Sequence, residues 1–242
     1  MSDPSPSAAG LDVHELTVER SGLEIVRRAS VQATPGTISL VVGPNGAGKT
    51  TLLEALSGII PARSGRVQLD GRDISSWRTT RRAGAGLCHV EQGRSVFREL
   101  TTEQNLVVAA PKGQDLTLAY ELFPELVKRR DVRASSLSGG EQQMVAVGRA
   151  LLRQPRVLIL DELSLGLAPV IVLRLLEAVR ALADRGVAVL LVEQFAHLAL
   201  TFSDRAYVLR DGAVVHSAPA AELRQSPGLL DQLYLGSPDK VA

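Results

Sequence analysis

Short apolar runs and helix-like stretches take turns along this chain. Residues 11–18, "LDVHELTV", alternate apolar and polar positions roughly as a half-buried strand does. "GTISLVVG" (36–43), "PRVLILDE" (155–162) and "GVAVLLVEQ" (186–194) are short apolar runs bounded by glycine, proline or charge, as in strands buried on both faces. "PVIVLRLLEAVRALADR" (169–185) places apolar side chains at 172, 175, 176, 179, 182 and 183. That spacing predicts one buried helix face, opened by Pro169 and closed by Gly186. "KTTLLEALSGI" predicts a helix closed by Gly58, and "EQQMVAVGRALL" another, capped by Ser138. "GRVQLDGRDI" and "DRAYVLRDGAVVHS" predict hairpins turning at Asp70-Gly71 and Asp211-Gly212. Apolar strands alternating with helices predict an α/β fold whose parallel sheet is covered on both faces. Between about 93 and 136 the rhythm changes. Short helical segments interrupted by Pro111, Gly113 and Pro124 predict a helical subdomain inserted into the sheet domain.

The bulk composition narrows the class. The chain has 242 residues, 45% hydrophobic and 22% charged, enough for one large domain with a real core. A formal net charge of +1 gives no reason to expect nucleic-acid binding. The local basic clusters "WRTTRR" (77–82) and "VKRRDVR" (127–133) read as solvated helix faces. Cys88 stands alone, which rules out an intramolecular disulfide and fits a reducing compartment. No window of about 18 uninterrupted apolar residues predicts a membrane span. "MSDPSPSAAG" (1–10) is polar, rich in Pro and Ser, and lacks a signal-peptide pattern; it reads as a disordered tail.

Two stretches have the chemistry of phosphate binding. "GPNGAGKT" (43–50) fits G-x-x-x-x-G-K-[ST] between a predicted strand and a predicted helix. Gly43, Gly46 and Gly48, with Pro44, Asn45 and Ala47 between them, let successive backbone N–H groups point into a phosphate-sized hollow. Lys49 would neutralise β- and γ-phosphate charge, Thr50 would offer a hydroxyl to Mg²⁺, and Thr51 after it counts with them among the nucleotide-binding residues. Asp161, ending a buried strand, can hold the Mg²⁺ shell; Glu162 beside it can orient or deprotonate a water. Adjacent carboxylates at a strand end also suit a solvated turn or a helix cap. The second stretch is "LSGGEQQM" (137–144), where Ser138 and two glycines open a helix whose free N–H groups attract anions.

With the phosphate loop, "LSGGEQ" and "LILDE" in this order, residues 11–236 resemble the ATP-binding subunit of an ABC transporter. The resemblance implies a P-loop NTPase fold with a mainly parallel core sheet, an N-terminal antiparallel β subdomain and the helical insert, leaving 237–242 as a tail. It implies ATP and Mg²⁺ as cofactors. It also implies head-to-tail pairing with a second ATPase subunit, in which Ser138 and Gly140 of one chain close over the γ-phosphate held by Lys49 of the other. Gln92, in "HVEQGR", lies at the Q-loop, where it would touch Mg²⁺ or the attacking water and relay motion to membrane subunits; "SLGLAP" (164–169) lies at the D-loop. "EQGRSVFRELTTEQNL", "LSGGEQQM", "SLGLAP", "LLVEQ" and "LYLG" resemble an ATPase subunit of branched-chain amino-acid uptake systems, a pattern that importers of urea, amides or other amino acids largely share. This narrower resemblance implies two permease subunits, an external solute-binding protein acting indirectly, and a place on the cytoplasmic face of the bacterial inner membrane. The second ATPase subunit would be a related chain, with a second copy of this one as the alternative.

Four positions depart from the family pattern. Gln194 stands where most of the superfamily has the switch histidine; an amide donates to a γ-phosphate but cannot become cationic. Ala168 replaces the D-loop aspartate, and Leu163 the proline after the catalytic glutamate, so the turn there loses a fixed φ. Arg20 occupies the place of the adenine-stacking aromatic, and its guanidinium plane can stack on a base. His197 reads as an ordinary surface or core histidine. The leading expectation is a transport ATPase with Glu162, Gln194 and Lys49 at its catalytic centre. The alternatives are a soluble ABC ATPase outside transport and a catalytically weak ATP-binding partner subunit.

Overall fold

The structure, a computed structural model, describes residues 10–93 and 95–235. In chain order it contains β1 (Leu11–Arg20), β2 (Leu23–Ala33), β3 (Ile38–Val42), α1 (Lys49–Ser57), β4 (Ser64–Leu69) and β5 (Arg72–Asp73). Then come α2 (Thr79–Gly84), β6 (Leu87–Val90), α3 (Thr102–Ala109), α4 (Thr117–Leu122), α5 (Gly139–Leu152) and β7 (Val157–Asp161). The remainder is α6 (Pro169–Asp184), β8 (Ala188–Val192), α7 (Ala196–Phe202), β9 (Arg205–Arg210), β10 (Ala213–Pro219), α8 (Ala220–Gln225) and α9 (Pro227–Leu235). One sheet has the order β2-β1-β4-β5 and is antiparallel; the other runs β10-β9-β3-β8-β7-β6, parallel except for β10.

The apolar runs are buried on both faces because they lie between two cores. In β3, Ile38, Leu40 and Val42 join the core under α5, α6 and α7, while Val41 joins the core around α1 and the antiparallel sheet. β7 and β8 divide in the same way, Leu158, Leu160, Val189 and Leu191 to one side, Ile159, Leu190 and Val192 to the other. On α6, residues 172, 175, 176, 179, 182 and 183 are all buried, as their spacing predicts. Gly58 ends α1 in the left-handed conformation, and Asp70-Gly71 and Asp211-Gly212 make their turns there too. In the insert, α3, α4 and 3₁₀ turns at Pro124–Arg129 and Ala134–Ser136 stand where helices were expected. Buried Asn105 ties the loop before α3 together, donating to the carbonyls of Phe97, Leu100 and Thr101.

Three expectations need correction or limits. Gly10, read as the last residue of a disordered tail, is buried, and its carbonyl accepts from the Asp70 N–H at 2.8 Å. The rest of that tail and 237–242 lie outside the described residues. "WRTTRR" is not wholly solvated: Arg82 is buried and donates to the carbonyls of Ala55, Leu56, Ser75 and Trp77, closing the end of α1.

Candidate nucleotide-binding and hydrolysis site

The phosphate loop joins β3 to α1, and two of its glycines are required by sterics. A Cβ on Gly43 would lie 2.0 Å from the Leu209 carbonyl oxygen, and one on Gly48, at φ +98°, 2.8 Å from that of Ile25. The β9–β10 turn braces the loop from behind, with the Gly212 N–H donating to the Ala47 carbonyl at 3.1 Å. Asn45 and Gly46 form the exposed rim, while Ala47, Gly48, Lys49 and Thr51 are buried. Lys49 Nζ donates to the carbonyls of Gly43 (2.8 Å) and Pro44 (3.1 Å), so its ammonium sits inside the loop. Burial lowers the Lys49 pKa, while Glu162 and Asp161 raise it.

Parallel pairing sets β7 beside β8, which in turn pairs with β3, so the end of β7 lies one strand away from the loop that follows β3 and both carboxylates come to it. Asp161 is 1% exposed and its Oδ1 has no hydrogen-bond partner among the described residues. Burial raises its pKa; the Thr50 hydroxyl and Lys49 counteract this, and Glu162 and Glu91 add to it. A buried unpartnered carboxylate oxygen near a threonine hydroxyl suits a hard divalent cation that also holds phosphate oxygens. No group of three or more His, Cys, Asp or Glu that could hold a metal occurs among the described residues, so Mg²⁺ fits here only with phosphate completing its shell.

Glu162 has φ +45°, a left-handed conformation that costs a non-glycine residue about 1–2 kcal/mol. Its N–H donates to the Val192 carbonyl at 2.9 Å, and its Oε2 accepts from Gln92 Nε2 at 2.7 Å. The Q-loop side chain and the strand-end carboxylate, 70 residues apart in sequence, are thus in direct contact. Leu163, expected to loosen this turn, is 2% exposed and anchors it in the core. It also permits the φ of Glu162, which a following proline disfavours.

The other expected site residues lie at the margin. Gln194 is exposed two residues after the end of β8, and exposed His197 follows on α7. Ser138 caps α5, its hydroxyl accepting from the Glu141 N–H at 3.3 Å while the Glu141 carboxylate accepts from the Ser138 N–H at 2.8 Å. Gly140 is buried, and a Cβ there would meet Ile171 at 2.6 Å. No hydrogen bond joins Ser138 to Lys49 among the described residues; each is satisfied within its own loop. Arg20 is ion-paired with Glu54 of α1, a partner the sequence did not disclose. Glu193 and Ser164, to which the sequence alone assigns no individual role, are both buried close to the expected site residues. "LLVEQ" and "SLGLAP" contain them, but nothing in either motif shows that the two side chains meet.

A family model described as ABC transporter matches residues 26–164. The high-affinity branched-chain amino acid transport ATP-binding protein BraG of Pseudomonas aeruginosa is 40% identical over 220 residues, 88% of this chain and 94% of BraG. The lipopolysaccharide export system ATP-binding protein LptB of Acidithiobacillus ferridurans is 35% identical over 222 residues, 88% of this chain and 90% of LptB. The crystal structure of the ADP conformation of MJ1267, an ATP-binding cassette of an ABC transporter, matches with a TM-score of 0.83 at 23% identity, covering 96% of this chain and 100% of that one. This last likeness speaks for the fold alone. The phosphate loop, the helix-capping signature and these relatives lead to one conclusion: the chain belongs to the ABC transporter family, as one of its ATP-hydrolysing domains.

Proposed function

We propose that the chain drives import of branched-chain or other amino acids, hydrolysing ATP at a site completed by a second ATPase subunit. The observation that carries the site reading is the Gln92–Glu162 hydrogen bond beside buried Lys49 and Asp161. The loop N–H groups and Lys49 bind the β- and γ-phosphates. Thr50, Asp161 and Gln92 would hold Mg²⁺, which when bound supplies charge neutralisation of the phosphates. Glu162 orients the attacking water and accepts its proton, Gln92 fixes the Glu162 carboxylate, and Gln194 donates to the γ-phosphate. Arg20, its edge paired with Glu54, keeps a guanidinium face for adenine. Ser138 and the Gly140 backbone complete the partner's site, since within one chain they bond only locally.

Transport rather than soluble work is supported by a groove of about 510 Å³ beside the Q-loop. Ile59, Phe97 and Val108 make it apolar, Arg149 and Arg153 line it, and Glu91, next to Gln92, borders it. Such a surface suits a permease segment, and a segment seated there would move with Gln92. No described helix is long and apolar enough to cross a membrane, so in this reading the two permeases hold the chain at the membrane's cytoplasmic face. The amino-acid substrate rests on the likeness to BraG and on "SLGLAP" and "LLVEQ". Glu162→Gln tests the site: ATP binding is expected to persist while turnover of the assembled transporter falls at least about 100-fold. Wild-type turnover in that variant would overturn it. Uptake of leucine, isoleucine and valine by vesicles carrying the assembled transporter tests the substrate, and uptake unchanged by loss of this subunit would remove it.

A further inference from the structure

Glu193 is the most deeply buried carboxyl group outside the roles assigned above. It is 1% exposed, follows β8 directly and precedes the switch residue Gln194. Ser164, 0% exposed, donates its hydroxyl to Glu193 Oε2, while Oε1 has no hydrogen-bond partner among the described residues. A buried acid is costly compared with an apolar residue of its size, so its presence beside the reacting groups asks for a use. Two bonds zip the turn after β7 to the end of β8: the Glu162 N–H to the Val192 carbonyl, and the Ser164 hydroxyl to Glu193. Between them Leu163 is sunk in the core. Glu162 occupies a strained φ that persists only where its surroundings over-determine it. No proline stiffens this turn, and among the described residues Glu193, directly after β8, holds it by the hydrogen bond from Ser164.

We propose that Glu193 is a positioning residue of the hydrolysis site: through Ser164 it locks the turn bearing Glu162 to the segment bearing Gln194, so that water-orienting carboxylate and γ-phosphate donor shift together. The proposal rests on the reading of Glu162 given above. Since Oε2 accepts from Ser164 whether or not the carboxyl is ionised, glutamine can keep the clamp through its carbonyl oxygen, whereas alanine cannot.

The test measures ATP turnover and ATP affinity of the full chain assembled with its partners, for Glu193→Ala, Ser164→Ala, Glu193→Gln and, as reference, Glu162→Gln. Expected are losses in kcat of at least about tenfold for Glu193→Ala and Ser164→Ala with ATP affinity within about twofold of wild type, since misplacement of a reacting group lowers kcat rather than binding. Glu193→Gln should keep most of the activity, and the Glu193→Ala, Ser164→Ala double variant should be no worse than either single one. The clamp is overturned if the alanine variants turn over at the wild-type rate while Glu162→Gln is inactive, if Glu193→Gln is as impaired as Glu193→Ala, or if all three lose ATP binding together with activity. If Glu193→Ala does not fold, Ser164→Ala against Glu193→Gln decides by the same criteria. Turnover in Glu162→Gln would instead remove the underlying site reading.

Discussion

A carboxyl group as enclosed as that of Glu193 holds its proton longer than one in water. Burial, with a contribution from the Glu162 charge, pushes its pKa up to about 7, against the pull of Ser164 and the backbone N–H of Gln194. The sign of the consequence follows from linkage. Between about 4.5, where the unfolded chain titrates, and about 7, the folded chain binds more protons, so stability falls as pH rises through that window. Glu193→Gln cannot ionise and loses this slope, which amounts to about 3 kcal/mol once fully developed above pH 7. Urea unfolding at pH 5 and pH 8 reads it: the advantage of the glutamine variant over wild type should grow with pH, and an advantage constant with pH would contradict the burial argument. Lys49 and Asp161 are shifted by the same physics in opposite directions, each partly held by the other's charge. The roles proposed for Lys49, Asp161 and Glu162 were legible from residue type and motif. That of Glu193 was not, because burial depends on which strand lies next to which.

At the scale of elements, period and punctuation served well where strands are regular and failed where they are not. β2 buries Val26, Ala29, Val31 and Ala33, and the three-residue step from Val26 to Ala29 breaks the two-residue period. Its cause is a register shift opposite β1, with Arg28 at φ +46° and Glu15 at φ +45°. The Arg27 N–H there donates to the Gly212 carbonyl, so the irregular stretch touches the turn that braces the phosphate loop. Gly48 is the sharpest test of this packing. Gly48→Ala would force a Cβ at 2.8 Å from the Ile25 carbonyl oxygen and strain φ +98°, so ATP affinity should fall at least about tenfold. Titration with a fluorescent ATP analogue measures it, and wild-type affinity in that variant would mean that the loop yields without loss.

For the whole molecule, the signature helix and the phosphate loop face different neighbours. α5, capped by Ser138, packs with α3 and α4, whereas Lys49 opens α1 within the other core. Exposed Leu165, Val170 and Phe195, on the segments flanking the hydrolysis site, leave apolar surface for a second subunit. Glu162→Gln with ATP and Mg²⁺ should therefore double in mass by light scattering after gel filtration, alone or with a second ATPase subunit, and Ser138→Arg should prevent it. A monomer under all these conditions would contradict a shared site.

What the chain determined by itself was the alternation of apolar runs with one-faced helices, the turns at Asp70-Gly71 and Asp211-Gly212, and the phosphate-binding loop, because these depend on spacing and residue type within a few neighbours. Tertiary structure alone decided that Gln92 meets Glu162, that Arg82 closes α1, that Arg20 pairs with Glu54, and that Ser164 meets Glu193. Each of these joins residues that are distant in sequence, and only the order of strands in the sheets and the packing of helices on them brings such residues within hydrogen-bond reach.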